Sequence, residues 1–313
     1  MQVDLPGLPE GVGLDEVALV VHVEPVVDRV VLQVGDEDRD VDGCHGAKTA
    51  RRGGGSATVA LVPGPPRSVD GLLDVLHAAV DAVADVLGDL DDWGLAGTRP
   101  GQHRSDLRAD AVAVDLFVGA GLGVLSEESG RHHPERPVTV VVDPLDGSTN
   151  AHRGIPWFAS SVCAVDADGP LAAVVLDLPR RHRYVASRGG GARRDGTPIR
   201  PSAVTAAADA VVGLSGLPPR HLGWSQFRAL GAAALDLCAV ADGTIDAFVD
   251  CSVDAHGSWD YLGGLLVCHE AGAVVADAHG RDLVALDHAA RRTPLAAATP
   301  DLLDELTARR NQA

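Results

Sequence analysis

The sequence predicts a layered α/β (α+β sandwich) protein, and three observations carry that prediction. Valine-rich strand-like runs and helix-period stretches alternate irregularly beyond residue 67, the pattern of sheets covered by helices. A hydrophobic fraction of 46% in 313 residues is enough for a sizeable core. No internal repeat or long linker interrupts residues 67–313.

Residues 1–66 read differently. An acidic cluster (Asp36, Glu37, Asp38, Asp40), a Gly-rich run at 51–55 and Pro-Gly-Pro-Pro at 63–66 interrupt short valine-rich pieces. The pieces Val17–Val23 and Val26–Val34 fit strands, but no helix period or cap joins them. This segment is expected to be an appended extension, poorly ordered or mis-assigned and dispensable for folding and catalysis. The rival reading is a hairpin of the two pieces covering a sheet edge or a dimer surface.

From Ser68 the pattern changes. Ser68 suits a helix N-cap, and Val69, Leu72, Leu73, Leu76, Val80, Val83 and Leu87 recur at helical steps. A second helix is expected after Asp110, with Val112, Val114, Leu116, Phe117 and Val118 available for burial. Strand-like runs follow at Gly123–Leu125, Val138–Val142, Ser161–Val165, Leu171–Leu176 and Tyr184–Ala186. The mixture then repeats: a strand at Val211–Leu214, a helix around Ala232–Ala241, a strand at Ile245–Val249, a helix from Trp259 to Ala271 closed by Gly272, and a strand at Ala273–Ala276. The expected organisation is one domain over 67–313, in halves of about 67–200 and 201–313.

Composition removes several function classes. A net charge of −18 argues against a nucleic-acid surface, which needs clustered Lys and Arg. It leaves room for a small phosphorylated substrate, which metal ions and backbone N–H groups can hold. The five cysteines are scattered without a Cys-x-x-Cys pair, as reduced thiols in a cytoplasmic protein would be. The apolar stretch Val17–Val34 is broken by His22, Glu24, Pro25, Asp28, Arg29 and Gln33, so it cannot span a bilayer. The Gly-rich run lacks the Gly-Lys-Ser/Thr ending of a phosphate-binding P-loop.

The densest chemistry is Val138-Thr-Val-Val-Val-Asp143-Pro144-Leu145-Asp146-Gly147-Ser148-Thr149-Asn150. A buried strand runs into two carboxylates, and Pro144 stiffens a turn expected to hold both outside the strand end. Paired Asp oxygens suit a hard cation such as Mg²⁺. Gly147, Ser148 and Thr149 would offer N–H groups at a helix start, where a phosphate is stabilised. Taken alone, the same residues fit an ordinary turn with a Ser cap. Glu127-Glu128 end an apolar strand-like run upstream, and Trp259-Asp260 open an apolar helix far downstream. Asp260 alone could merely favour the helix dipole.

Together these pieces resemble the inositol monophosphatase family of magnesium-dependent, lithium-sensitive phosphatases. Glu127-Glu128 is similar to its Glu-Glu motif and Asp143–Asn150 to its Asp-Pro-x-Asp-Gly-Thr/Ser-x-Asn motif. Trp259-Asp260 with Glu270-Ala-Gly272 is similar to its C-terminal motif. Ile155-Pro156-Trp157 and Gly189-Gly-Gly-Ala192 look like further landmarks in order.

The resemblance implies an αβαβα arrangement with the metal site between two halves, and a homodimer. It implies one Mg²⁺ on Glu127, Asp143 and the Leu145 carbonyl, and a second on Asp143, Asp146 and Asp260. Asp110 is the nearest match to a ligand for a third, with Asp106 and Asp115 as alternatives and a helix-start role for Asp110 equally open. A metal-bound water oriented by Glu127 and Ser148 would attack the phosphoryl group, and Gly147 and Ser148 N–H groups would steady its oxygens. Gly231–Asp236 looks like the family's substrate-contacting stretch, which brings in Ala232 and Ala233. Asp250 is similar to an acidic residue that accepts a substrate hydroxyl, with Asp254 as its rival. His132-His133 are expected in a solvated loop and His269 in the core. The substrate implied is a small phosphate monoester: an inositol phosphate, histidinol phosphate, a sugar bisphosphate or 3′-phosphoadenosine 5′-phosphate. The alternative is a catalytically weak relative acting as a partner-binding or regulatory protein.

Overall fold

The computed structural model describes the backbone of residues 19–23 and 30–34, then residues 66, 68–90, 93–96 and 103–312. The chain divides into two compact units, Met1–Pro63 and Gly64–Ala313. In the first, strands β1 (Leu19–Val23) and β2 (Val30–Val34) pair antiparallel, Leu19 opposite Val34. The acidic cluster at 36–40 and the Gly-rich run at 51–55 lie outside the described residues.

The second unit opens with α1 (Val69–Gly88), whose first turn is capped by Ser68 accepting the Gly71 N–H at 3.1 Å. Leu72, Leu76, Val80, Val83 and Leu87 form its buried stripe, while Val69 is exposed. Helix α2 (Arg104–Gly119) starts earlier than the sequence suggested. His103, a weak cap by residue type, opens it, and the His103 N–H donates to Asp106 Oδ2 at 2.8 Å. The helix-start role offered to Asp110 therefore belongs to Asp106.

Strands β3 (Gly123–Ser126), β4 (Gly130–His132) and β5 (Thr139–Asp146) follow, then the short α3 (Ser148–Arg153). His132 thus ends an edge strand rather than lying in a loop, and only His133 is exposed. The meander β6 (Ala159–Asp166), β7 (Gly169–Asp177), β8 (Arg183–Ser187), β9 (Gly191–Arg194), β10 (Thr197–Pro198) completes an eight-stranded sheet of order β10-β9-β8-β7-β6-β5-β3-β4. Every pairing in it is antiparallel except β3 with β5.

The remaining elements are β11 (Val211–Ser215), β12 (Gln226–Arg228), α4 (Ala233–Ala241), β13 (Ala247–Asp250), α5 (Ser258–Ala271), β14 (Val274–Asp277), β15 (Pro294–Ala297) and α6 (Pro300–Asn311). They build a five-stranded sheet, β12-β11-β13-β15-β14, in which β11 runs parallel to both its neighbours.

Side-chain alternation stacks these elements into five layers, since neighbours along a strand face opposite ways. Val140 and Val142 of β5, with Val162 of β6 and Val174 of β7, pack under Leu76, Val80 and Phe117 of α1 and α2. Val141, Cys163 and Val175 face the other way, against α4 and α5. Phe248 and Ala296 of the second sheet close on the same two helices from beyond. Ala247, Val249, Leu295 and Ala297 point outward to Leu302 and Leu306 of α6. The result is an αβαβα sandwich. Each large side chain fully buried this way stabilises it by roughly 1.5–3 kcal/mol.

The middle layer explains two apolar helices with no polar face. All nine residues of α4 are buried, as are ten of the fourteen in α5, as for helices covered on every side. Small residues let them meet: a Cβ added at Gly264 would stand 2.5 Å from Leu237 Cβ. Burial ends after Cys268, so His269, expected in the core, is exposed in the last turn. Gly272 then closes α5 in the left-handed region at φ 97°.

Candidate metal centre and active site

The eighth residue of β5 is Asp146, so the strand continues through both carboxylates instead of stopping before them. Both are buried, which corrects the expectation that Pro144 would hold them beyond the strand end. The physical reason is a break in register against β6: Asp143 pairs with Ser161 and Asp146 with Ala159. Such an irregularity accommodates a proline within a sheet. The Leu145 N–H turns back to Asp143 Oδ1 at 3.0 Å, fixing that carboxylate.

Gly147 follows at φ 83°, a left-handed backbone that favours glycine. A Cβ there would also meet the Gly231 and Trp157 carbonyl oxygens and Ala232 Cβ, each at 3.1 Å. The turn carries the chain into α3, leaving the first N–H groups of Ser148 and Thr149 without intrahelical partners. Ser148 is half-buried and Thr149 exposed. Asn150 Nδ2 donates to the Leu230 and Trp157 carbonyls at 2.7 and 2.8 Å, tying this motif to the start of α4.

Four elements converge on the carboxylates. Glu127 leaves the end of β3, its N–H held by the Val142 carbonyl at 3.2 Å. Asp260 sits in the first turn of α5, where its Oδ2 accepts the Gly257 N–H at 2.8 Å. Its helix-capping role and its place in the cluster therefore coexist. Glu127, Asp143 and Asp260 each bring a carboxylate oxygen within 4.8 Å of the others'. Asp146 stands beside them, its Oδ2 accepting the Ala234 N–H at the start of α4 at 2.8 Å.

This grouping is electrostatically uncomfortable. Burial first, then the charge of Asp260, pushes Glu127 up, and burial followed by Asp260 does the same to Asp146. Asp143, wholly enclosed, is pushed far up by burial and then by Glu127, Asp146 and Asp260. Burial also raises Asp260, opposed by the nearby His256. None of the four is ion-paired with a basic side chain among the described residues. Buried carboxylates normally are paired or coordinate a cation. An all-oxygen donor set crowded by its own repulsion fits hard divalent cations.

Other residues singled out by sequence lie differently. Asp110 is buried in mid-α2 and accepts a short hydrogen bond from Ser126 Oγ, which in turn accepts the Glu128 N–H at 3.1 Å. It thus braces the Glu127 turn from below and is not among the three gathered carboxylates. Asp106 is occupied with the α2 start, and Asp115 is exposed. Ala232 and Ala233 open α4 and are buried, with Leu145. Asp250 is fully buried at the end of β13, bonded to His256 and Ser252, while Asp254 is exposed and paired with Arg281 at 2.7 Å.

The landmark motifs acquire physical reasons. Both oxygens of Glu270 accept N–H groups, from Gly189 at 2.8 Å and Gly191 at 2.9 Å. Trp157 Nε1 donates to Asp236 at 3.0 Å, with Arg180 over its ring at 4.5 Å. Three neighbours of the site were missed in the sequence. His256, one turn before Asp260, was legible in principle from that spacing. His288, whose Nε2 donates to the Glu127 carbonyl at 3.1 Å, and Arg291, stacked 5.0 Å over Trp259, left no local signal.

An αβαβα sandwich with a carboxylate centre where its sheets and central helices meet defines a recognisable class. A family model described as the inositol monophosphatase family matches residues 119–313. An inositol-1-monophosphatase of Mesorhizobium japonicum is 34% identical over 218 residues, 62% of this chain and 79% of the relative. A fructose-1,6-bisphosphatase of Pyrococcus furiosus is 30% identical over 219 residues, 67% and 85% of the two chains. Among solved structures, a Pyrococcus horikoshii protein described as similar to inositol-1 monophosphatase superposes with a TM-score of 0.71 at 26% identity. That match covers 77% of this chain and 99% of the other. The chain belongs to the inositol monophosphatase family and is a phosphatase. Among the described residues no helix is long and apolar enough to cross a membrane.

Proposed function

We propose that the protein hydrolyses a small phosphate monoester with Mg²⁺ held by Glu127, Asp143, Asp146, Asp260 and the Leu145 carbonyl. The observation that carries this reading is the convergence of Glu127, Asp143 and Asp260 oxygens within 4.8 Å, from three separate elements. When bound, divalent cations supply positive charge for the phosphoryl oxygens and make water more acidic.

The protein's own groups then do the positioning. Glu127 and the Ser148 hydroxyl hold and orient the attacking water, Glu127 accepting its proton. The Gly147, Ser148 and Thr149 N–H groups meet the phosphoryl oxygens as charge builds. Asp146, fixed by the α4 N-terminus, and Asp260, fixed by Gly257, keep their orientation through the reaction. Ala232 and Ala233 line the leaving-group side. Relatives named inositol-1-monophosphatase and fructose-1,6-bisphosphatase are the support for testing inositol 1-phosphate and fructose 1,6-bisphosphate first.

The test is phosphate release from inositol 1-phosphate, histidinol phosphate, fructose 1,6-bisphosphate and 3′-phosphoadenosine 5′-phosphate, with Mg²⁺ and after chelation. Release from at least one that needs Mg²⁺ is expected. Undiminished release after exhaustive chelation, or none from any substrate, would refute the reading.

A further inference from the structure

The connection between β14 and β15, residues 278–293, leaves the second sheet and returns to it. It is pinned along its length. At its base the Ala278 N–H donates to the Thr293 carbonyl at 2.8 Å. Further on, the Tyr261 hydroxyl of α5 donates to the Leu283 carbonyl at 2.7 Å, and Arg292 Nε to the Asp282 carbonyl at 2.6 Å. Leu283 is buried in the central core, and Val284 and Leu286 pack against it. Asp287 then opens a tight turn: its carbonyl accepts the Ala290 N–H and its Oδ1 the Ala289 N–H, each at 3.0 Å. That turn carries His288.

Two contacts join the turn to elements on opposite sides of the carboxylate centre. His288 Nε2 donates to the Glu127 carbonyl at 3.1 Å, across 161 residues of sequence. A carbonyl only accepts, so the proton sits on Nε2. The same imidazole lies 4.8 Å from the Trp259 ring, centroid to centroid, at 31°. Arg291 stands over that indole at 5.0 Å, and its Nη1 donates to the His288 and Ala290 carbonyls at 2.7 and 2.9 Å. Trp259 is buried and immediately precedes Asp260. Its ring packs so closely on Gly257 that a Cβ there would collide with it, and the Gly257 N–H is the group that holds Asp260 Oδ2. The turn therefore runs from the backbone of Glu127, after β3, to the indole beside Asp260, in α5.

We propose that His288 is a positioning residue for the divalent-cation site, clipping the Glu127 turn to Trp259 so that Glu127 and Asp260 keep the spacing a cation needs. Those two carboxylates come from different elements, and their oxygens stand within 4.8 Å of each other. Like charges at that separation repel, so an unbraced Glu127 turn would draw away from α5. A hydrogen bond to the Glu127 backbone carbonyl resists this while leaving both carboxylate oxygens open to a metal. Bracing of that kind gathers the ligands before the cation arrives, and its effect is read as metal affinity. The inference rests on the metal-dependent reading above and deepens it.

The experiment measures Mg²⁺ affinity of the full-length protein, stripped with chelator, from the rise of its thermal midpoint with Mg²⁺ concentration. The parent is compared with His288→Ala, His288→Phe and His288→Gln. Phenylalanine keeps a ring against Trp259 and loses the donor, whereas glutamine keeps an N–H donor and loses the ring. His288→Ala and His288→Phe should weaken Mg²⁺ binding by about tenfold, and His288→Gln should bring it back to within about threefold of the parent. The Mg²⁺ concentration that half-saturates phosphate release should rise in parallel. A merely structural role would instead lower the midpoint in chelator and leave the affinity unmoved. His288→Phe binding Mg²⁺ as tightly as the parent, or His288→Gln no better than His288→Phe, would overturn the inference alone. Should His288→Ala fail to fold, the comparison of His288→Phe with His288→Gln decides, since both fill the space of the imidazole. A parent protein that takes up no Mg²⁺ would overturn the metal-dependent reading, and this inference with it.

Discussion

Asp143→Asn should abolish turnover and yet make the metal-free protein more stable. The three gathered carboxylates have oxygens within 4.8 Å of one another. At that distance and an effective dielectric of about 20, an ionised pair repels by about 3 kcal/mol. Asparagine keeps the carbonyl oxygen that receives the Leu145 N–H at 3.0 Å, so local geometry survives while the charge goes. Neighbouring carboxyls already escape part of the repulsion by holding protons. The net gain is therefore smaller, about 1–3 kcal/mol at pH 7. For a domain of this size that is a rise of about 2–12 °C in thermal midpoint.

The sign of the pH dependence follows from the same crowding. Burial and then like charge push Glu127 up to about 8 and Asp146 to about 7, and burial, opposed by His256, pushes Asp260 to about 6. Folded carboxyls with raised pKa bind more protons than unfolded ones, which titrate near 4. Their stabilising contribution is complete below about pH 4 and is lost as pH rises through 6 to 8. In chelator, the parent's thermal midpoint, corrected for other titrations by reference to Asp143→Asn, should fall between pH 5 and 8. Added Mg²⁺ should stabilise the parent more than the variant, whose phosphate release should drop by more than about a hundredfold. Metal-free Asp143→Asn no more stable than the parent at pH 7 would refute the crowding. A variant within a few-fold of the parent rate would refute the ligand role.

Two further substitutions test the scaffold around the centre. Gly147→Ala adds left-handed strain of about 1–2 kcal/mol and three 3.1 Å contacts, for about 2–5 kcal/mol in all; denaturant unfolding within 0.5 kcal/mol of the parent, on the order of measurement scatter, would show that the turn relaxes freely. Glu270→Ala strips the acceptors from Gly189 and Gly191 N–H, costing about 1–2 kcal/mol, and hydrogen exchange at those amides should quicken; unchanged exchange would mean the turn holds itself.

What the sequence makes legible here is whatever is written within a few residues. Ser68 and the 3–4 period after it announce α1, and Val138–Val142 announces β5, because cap chemistry and burial pattern are local. The start of α2 is hidden, since a histidine cap carries no recognisable signature until Asp106 is seen bonding to it. The end of β5 is hidden for another reason. Asp-Pro-x-Asp reads as a turn unless one knows that β6 supplies a partner that tolerates the shifted register. His269 looks like core because its helix is apolar, and burial by the neighbouring layers, which stops at Cys268, is a property of the packing alone.

The site shows the same division. Glu127, the Asp143–Asp146 pair and Asp260 stand out as motifs, but what holds them in place comes from far along the chain. Asp146 is fixed by Ala234, Asn150 by Leu230, and the Gly189 turn by Glu270, each about eighty residues away. The bond to Asp146 bears on the centre directly. A cluster of crowded carboxylates pushes itself apart in the metal-free protein, and within β5 the Leu145 N–H opposes that at Asp143 alone. Backbone N–H groups at the starts of α4 and α5 oppose it too, because they favour the charged oxygens without neutralising them. A lysine or arginine in their place would occupy the oxygens that a cation needs. The apolar, closely packed central helices are therefore part of the site: they carry two helix N-termini into the interior and aim them at Asp146 and Asp260.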